Sequence, residues 1–350
     1  MAHECQCVSP QPTDWVKGEV VGSGSFGTVH LAIEKATGAL FVVKSAESEI
    51  GIQSLENEAD ILENLDSQYI IKFLGKDFSS GANRYRKLNL FIEYMAGGSL
   101  AEVVEKFGGA VDEKLIRLYT KKILQGLKYL HDNGIVHCDL KCKNVLLGLS
   151  GNVKLADFGF AKRLNDRKKD KISMQFHKPN IGGTPFWMAP EVLRNEGLDF
   201  AADIWSLGCT VIEMANGCRP PWGDNFSNPM SAILKIACGN GVPEFPSNLS
   251  HEGKDFLSKC LQRNPKKRWT AEELLQHPFL LGESSQRKEE TCSPASVLDL
   301  RFVHYDSDGS SVDEEFSSRV NPFSMRCQPM KSLVSEYHFV SSDEWVTVRS

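Results

Sequence analysis

The first hundred residues are a succession of short apolar runs broken by polar turns. From Trp15 the run Val16-Lys17-Gly18-Glu19-Val20-Val21 leads into a glycine-rich turn, after which Val29, Leu31 and Ile33 alternate with smaller or polar residues. Leu40-Phe41-Val42-Val43-Lys44, Ile70-Ile71-Lys72-Phe73-Leu74 and Leu88-Asn89-Leu90-Phe91-Ile92 have strand length and strand composition. Between the third and fourth runs, Gln53 to Leu65 predicts an amphipathic helix with Leu55, Ile61, Leu62 and Leu65 as its apolar positions. Farther along, the period lengthens. Leu115, Ile116, Leu118, Tyr119, Ile123, Leu127 and Leu130 recur three or four apart over residues 113–132, and Asn133-Gly134 stops the run. Residues 203–212 are apolar nearly all round, as in a buried helix. Between these two helices, Val145–Leu147 and Val153–Ala156 flank Gly151-Asn152 and read as strands joined by a turn.

Composition narrows the function classes. A chain of 350 residues suits one two-lobed domain with a tail, or two ordinary domains. Its net charge of −5 offers no basic excess to neutralise phosphates, which argues against bulk nucleic-acid binding. No apolar run approaches the roughly 20 residues of a membrane span. The start, Met1-Ala2-His3-Glu4-Cys5-Gln6-Cys7, has neither the basic nor the apolar segment of a secretory signal, so a cytoplasmic or nuclear location, or both, is expected. Ten scattered cysteines then read as reduced thiols, many of them buried, and Cys5-Gln6-Cys7 lacks a second pair at zinc spacing.

The candidate chemistry lies between Ile135 and Gly159. His137-Cys138-Asp139-Leu140-Lys141 is followed by Asn144 and, beyond the short hairpin, by Asp157-Phe158-Gly159. This spacing suits phosphoryl transfer, in which one carboxylate meets a hydroxyl while an amide oxygen and a second carboxylate hold magnesium against phosphates. Upstream, Gly22-Ser23-Gly24-Ser25-Phe26-Gly27 leads into a strand rather than a helix. The turn therefore joins antiparallel strands and can lie over phosphates, which disfavours a dinucleotide-binding fold. Lys44 closes the third strand and would reach phosphates; the helix over Gln53 to Leu65 supplies its candidate partners, Glu58 and, in the competing register, Glu56, of which Glu58 is the better match on the resemblance given below.

These motifs resemble the eukaryotic Ser/Thr protein kinases, in family order from about residue 15 to 281. The resemblance implies an α+β, two-lobed protein kinase fold, with a β-rich N-lobe over 15–95 carrying one helix and an α-rich C-lobe over 96–281. Composition adds to this: the polar start with two prolines reads as a disordered leader over 1–14, and the acidic, serine-rich stretch over 282–350, without sustained periodicity, as a mostly disordered tail. ATP and Mg²⁺ are the implied cofactors. On this resemblance Asp139, Lys141, Lys44 and Glu58 are the catalytic set, and Asn144 and Asp157 hold the metal. Val21, Gly22, Ser23, Gly24, Ser25, Phe26, Gly27, Thr28, Val29, Val42, Lys44, Glu93, Met95 and Leu146 surround the nucleotide, with Ile92 guarding the back of the pocket. Gly182-Gly183-Thr184-Pro185-Phe186-Trp187-Met188-Ala189-Pro190-Glu191 matches the substrate-positioning loop, in which Thr184 bonds Asp139 and Lys141. Asp203 matches the tether of the catalytic loop, and Arg268 the partner of Glu191.

Two positions depart from the family pattern. Val42 stands where alanine usually lies over adenine, and its two extra methyls would crowd the base at a cost of about 1–2 kcal/mol in a pocket that does not relax. Cys138 stands where many kinases have arginine, and a thiol does not pair with phosphate, so weaker dependence on loop phosphorylation is expected. Residues 163–171 form a basic stretch whose first reading is a solvated loop, with recognition of an acidic partner second; Ser173 and Thr184 are the candidate loop acceptors. The tail carries twelve acids against seven bases, and its apolar patches around Val297–Phe302 and Tyr337–Val346 would dock on the chain's own lobe or on a partner. The combined motifs are most similar to the MEKK-like MAP kinase kinase kinases, above all the short plant members with an acidic tail. That resemblance implies a MAP kinase kinase as substrate and a place in stress or hormone signalling, including abscisic acid. Another Ser/Thr branch and a nucleotide-binding scaffold remain the alternatives.

Overall fold

The computed structural model describes residue 12 and residues 14–24, 27–80, 86–109, 111–164, 184–223 and 229–281. Most of the expected leader, the basic stretch of 165–171, Ser173 and the whole tail lie outside the described residues, as do Ser25 and Phe26 of the glycine turn. Five antiparallel strands, β1 (Trp15–Gly24), β2 (Gly27–Glu34), β3 (Leu40–Ala46), β4 (Phe73–Ser80) and β5 (Arg86–Glu93), pair in the order β1-β2-β3-β5-β4. A helix, α1 (Glu49–Leu62), follows β3 and starts on Ser48, whose hydroxyl accepts from the amide of Gly51. The alternation of the strands sorts their side chains onto two faces. Val42, Ala46, Leu88, Leu90 and Ile92 join Leu55, Ala59, Ile61 and Leu62 of α1 in the main core. The opposite face gathers Ala32, Phe41, Val43 and Phe91 under Trp15 and Leu74. There Trp15, Phe41 and Phe91 meet edge to face with centroids 5.7 to 6.0 Å apart.

Three details differ from the sequence reading. Helix α1 starts at Glu49 on the Ser48 cap and ends at Leu62, rather than running from Gln53 to Leu65. The fourth strand begins at Phe73 rather than Ile70, because Ile70 and Ile71 turn to another partner. Ile70 bridges Leu155, the amide of Ile71 donates to the carbonyl of Leu155 at 2.9 Å, and both side chains are buried. Leu118 lies on the solvent side of its helix and is 42% exposed.

The remainder is mainly helical. A short strand β6 (Gly98–Ser99) leads to α2 (Leu100–Lys106) and then α3 (Glu113–Asp132), the latter with the bounds its periodicity predicts. Asp112 caps the start of α3, and Gly134 takes the left-handed conformation (φ 71°) that ends it. Beyond α4 (Pro190–Leu193), α5 (Ala201–Ala215) runs through the centre with nearly every residue buried, Trp205 completely. The helices α6 (Pro229–Cys238), α7 (His251–Cys260), α8 (Ala271–Leu275) and α9 (Pro278–Leu281) complete this part. Among the described residues the architecture is the expected α+β kinase arrangement. Two small sheets bracket the candidate site: β7 (Ile135–Val136) pairs with β10 (Lys162–Arg163), and the hairpin β8 (Val145–Leu147) and β9 (Val153–Leu155) pairs with β6. The six cysteines among the described residues are free thiols, with Cys142, Cys209 and Cys260 buried.

Candidate active site

The loop 137–144 starts where β7 meets α5. The buried carboxylate of Asp203 on α5 accepts from the amide of His137 at 2.9 Å, from the amide of Cys138 at 3.0 Å and from the ring of His131 at 2.9 Å. Burial works to raise its pKa, but these donors outweigh it and hold the carboxyl below its usual range. The ring of His137 donates through Nε2 to the carbonyl of Ala156 at 3.1 Å and lies 4.9 Å from the ring of Phe158. Cys138 and Asp157 both adopt left-handed backbone, φ 68° and 66°. Such strain in non-glycine residues persists only where the surroundings over-determine it, and here it falls at both ends of one cluster.

Asp139 is the centre of that cluster. One carboxylate oxygen accepts from the amide and the hydroxyl of Thr184, each at 2.9 Å; the other accepts from Asn144 Nδ2 at 2.9 Å and lies 3.5 Å from Lys141 Nζ. Lys141 Nζ also donates to the hydroxyl of Thr184. A second Asn144 bond, from Nδ2 to the carbonyl of Asp139 at 2.7 Å, spends the nitrogen inward and leaves the amide oxygen as the donor for a hard cation.

Across the cleft, Lys44 Nζ lies 2.7 Å from Glu58 Oε2 and 2.8 Å from Asp157 Oδ1. The register question is settled for Glu58, which is fully buried, while Glu56 is only half-buried. Burial alone would favour the neutral amine, but the two carboxylates raise the pKa of Lys44. Burial also works against the ionised form of Asp157, yet the adjacent ammonium holds its carboxyl below the ordinary value. Asp157 and Asn144 thus supply a carboxylate and an amide oxygen, a set that fits Mg²⁺ completed by phosphate and water. Among the described residues no group of three or more His, Cys, Asp or Glu could hold a metal ion on its own.

The glycine turn closes the opposite side. Gly24 pairs with Gly27, Ser23 with Thr28 and Gly22 with Val29. Gly27 has φ 147°, and a Cβ there would stand 1.9 Å from the carbonyl of Ser45, so no other residue fits. Val29 lies opposite Lys44, and Val42 lies between Leu31 and Ile92, so these residues share the face that carries Lys44. Val21, Val29 and Leu146 are half-buried against the same core that holds Val42, Ile92 and Met95. Glu93 turns its carboxylate to Lys154 and to the amide of Lys72, tying β5 to β9.

The family model for the protein kinase domain matches residues 15–280. The chain belongs to the protein kinase family. It is 42% identical over 86% of its length to mitogen-activated protein kinase kinase kinase 17 of Arabidopsis thaliana, covering 78% of that protein. With mitogen-activated protein kinase kinase kinase 18 of the same plant the identity is 39%, over 87% of each chain. Mitogen-activated protein kinase kinase kinase A of Dictyostelium discoideum is 39% identical over 85% of this chain. The chain spans about a third to a half of the length of that relative and of several others.

As in the family pattern, the Arg268 guanidinium meets both oxygens of Glu191, at 2.7 and 3.1 Å, and also bonds the carbonyls of Gln262 and Ala201. Two residues of this kinase domain went unrecognised in the sequence. Glu213 on α5 accepts from the amide of Cys142 at 3.0 Å and from the indole of Trp187 at 2.9 Å, joining the loop of Asp139 to the segment after Thr184. Its one signal is a second acid, after Asp203, inside a mainly apolar helix. Asn57, beside Glu58, bonds the backbone around Phe158; nothing in its local sequence announces that.

Proposed function

We propose that this protein is an ATP-dependent Ser/Thr protein kinase of the MAP kinase kinase kinase type. Its substrate on this reading is the activation loop of a MAP kinase kinase, in stress or hormone signalling such as the response to abscisic acid, within the cytoplasm, the nucleus or both. The observation that carries the chemical part is the fixation of Asp139 by Thr184, Asn144 and Lys141. A carboxylate held by that many donors has one orientation in which to accept the proton of an acceptor hydroxyl. Lys141 beside it stabilises charge on the transferred group, and its bond to Thr184 ties that position to the loop that seats a Ser/Thr-containing segment. Lys44, braced by Glu58, orients phosphates under the backbone amides of the glycine turn. Mg²⁺ bound at Asp157 and Asn144 supplies neutralisation of phosphate charge. The substrate class rests on the motifs and on the names of the similar proteins, and the pathway on the motif resemblance to the short plant kinases alone.

The test is transfer of labelled γ-phosphate by the purified chain, with Asp139→Asn and Lys44→Met alongside. A catalytically dead MAP kinase kinase and a generic Ser/Thr protein are offered in parallel. Selective labelling of the MAP kinase kinase, abolished in both variants, is the expected result. Labelling of the generic protein alone would move the chain to another Ser/Thr branch. Nucleotide binding without transfer would leave a scaffold, and transfer retained in either variant would overturn the residue assignment.

A further inference from the structure

Three residues on one stripe of α1 meet the loop that carries Asp157. Ser54, Asn57 and Glu58 stand at positions i, i+3 and i+4, which a helix places on one side. Gly159 packs so closely on Ser54 that a Cβ would lie 2.3 Å from its hydroxyl. Glu58 Oε1 accepts from the amide of Phe158 at 3.3 Å while Oε2 holds Lys44. Asn57 Nδ2 donates to the carbonyls of Phe158 at 3.1 Å, Gly159 at 3.1 Å and Ala161 at 3.0 Å.

Three carbonyl oxygens converging on one point repel one another unless a donor sits between them. A carboxamide nitrogen carries two hydrogens, so one of them is shared between two of the carbonyls. The opposite orientation of the amide would aim an acceptor at three acceptors, which fixes which way Asn57 points. Its side chain is half-buried, and these three bonds are all to backbone, so it acts on Asp157 through the chain.

We propose that Asn57 is a positioning residue for phosphoryl transfer, clamping the Asp157 loop onto α1 so that Lys44, Glu58 and the metal-binding carboxylate are assembled as one unit. The proposal rests on the kinase reading and deepens it. The left-handed backbone of Asp157 needs such restraint, since its strain would otherwise relax by moving the carboxylate.

The experiment uses the full chain and the variants Asn57→Asp, Asn57→Leu and Asn57→Gln, each checked by thermal melting. Binding of a fluorescent ATP analogue is titrated with Mg²⁺, and steady-state transfer is measured beside it. Asn57→Asp keeps the shape but removes the donor, and is expected to raise the Mg²⁺ needed for half-maximal binding about tenfold, with kcat lowered and the KM for protein substrate unchanged. Asn57→Leu shifts in the same direction, and Asn57→Gln, which keeps the NH₂ group, stays nearer the wild type. Wild-type Mg²⁺ dependence in both folded Asn57→Asp and Asn57→Leu overturns the proposal, whatever happens to the rate. Should Asn57→Asp fail to fold, Asn57→Leu alone decides. Absence of transfer by the wild type, with Mg²⁺-dependent nucleotide binding intact, would instead refute the kinase reading and leave the clamp to be judged on binding.

Discussion

Thr184 donates twice to the same oxygen of Asp139, from its backbone amide and from its hydroxyl, each at 2.9 Å. The hydroxyl in turn accepts from Lys141. The segment that ends at Glu191 is therefore fastened to the candidate base itself, and disorder in one is felt by the other. Thr184→Ala keeps the amide bond but removes the hydroxyl, leaving Lys141 without that acceptor. A loss of roughly 10- to 100-fold in kcat is expected, with the KM for ATP nearly unchanged, while Thr184→Ser recovers most of the rate. Steady-state kinetics of both variants decide it. Equal losses in the two would mean that packing of the methyl group, not the hydroxyl, is what matters.

Cys138 makes a second prediction. Its amide is spent on Asp203, its thiol donates to the carbonyl of Val136 at 3.6 Å, and burial followed by the charge of Asp203 pushes the thiol pKa up. A neutral thiol at this position offers nothing to a phosphorylated loop, where an arginine would give a bidentate pair. Phosphatase treatment is accordingly expected to lower activity by less than about threefold. Complete silencing by phosphatase would show that another cation reads the loop phosphate.

The sequence motifs were legible where chemistry ties residue types to one another over short spacing. Asp139, Lys141 and Asn144 lie within six residues and meet around one carboxylate, so their pattern is local. Helix α3 was legible for a similar reason, with a strong period and capping residues at both ends. What stayed hidden depends on distant partners. Ile70 and Ile71 read as a strand by composition, but their pairing with Leu155 is a tertiary event. Glu56 and Glu58 differ only in which side of α1 they occupy, and burial had to decide between them. Asn57 and Glu213 act on backbone groups 101 and 71 residues away, at Phe158 and Cys142.

Val42 departs from the family pattern at a place the strand register now defines. It lies between Leu31 and Ile92, two residues before Lys44 on the same face, and is 8% exposed. If its extra methyls crowd the base, Val42→Ala lowers the KM for ATP about three- to tenfold, equivalent to ~1 kcal/mol, with kcat little changed. An unchanged or higher KM would show that the pocket accommodates valine without cost.

Glu213 predicts a pH dependence of stability. The residue is 4% exposed, and burial pushes its pKa up from the usual 4.5 to about 7, against the opposing effects of the Cys142 and Trp187 donors and of Lys141. Because the folded value exceeds the unfolded one, the native chain binds this proton more tightly between those limits. The contribution to stability is therefore complete below about 4.5 and is lost as pH rises to about 7. At 1.36 kcal/mol per pKa unit the swing is about 3 kcal/mol. Glu213→Gln has no proton to exchange, and other titrating groups are common to both proteins. Urea unfolding at a series of pH values should show the stability difference moving towards the variant across that window and levelling off above it. Parallel curves for the two proteins would mean that the junction between the Cys142 amide and the Trp187 indole keeps this carboxylate ionised at an ordinary pKa despite its burial.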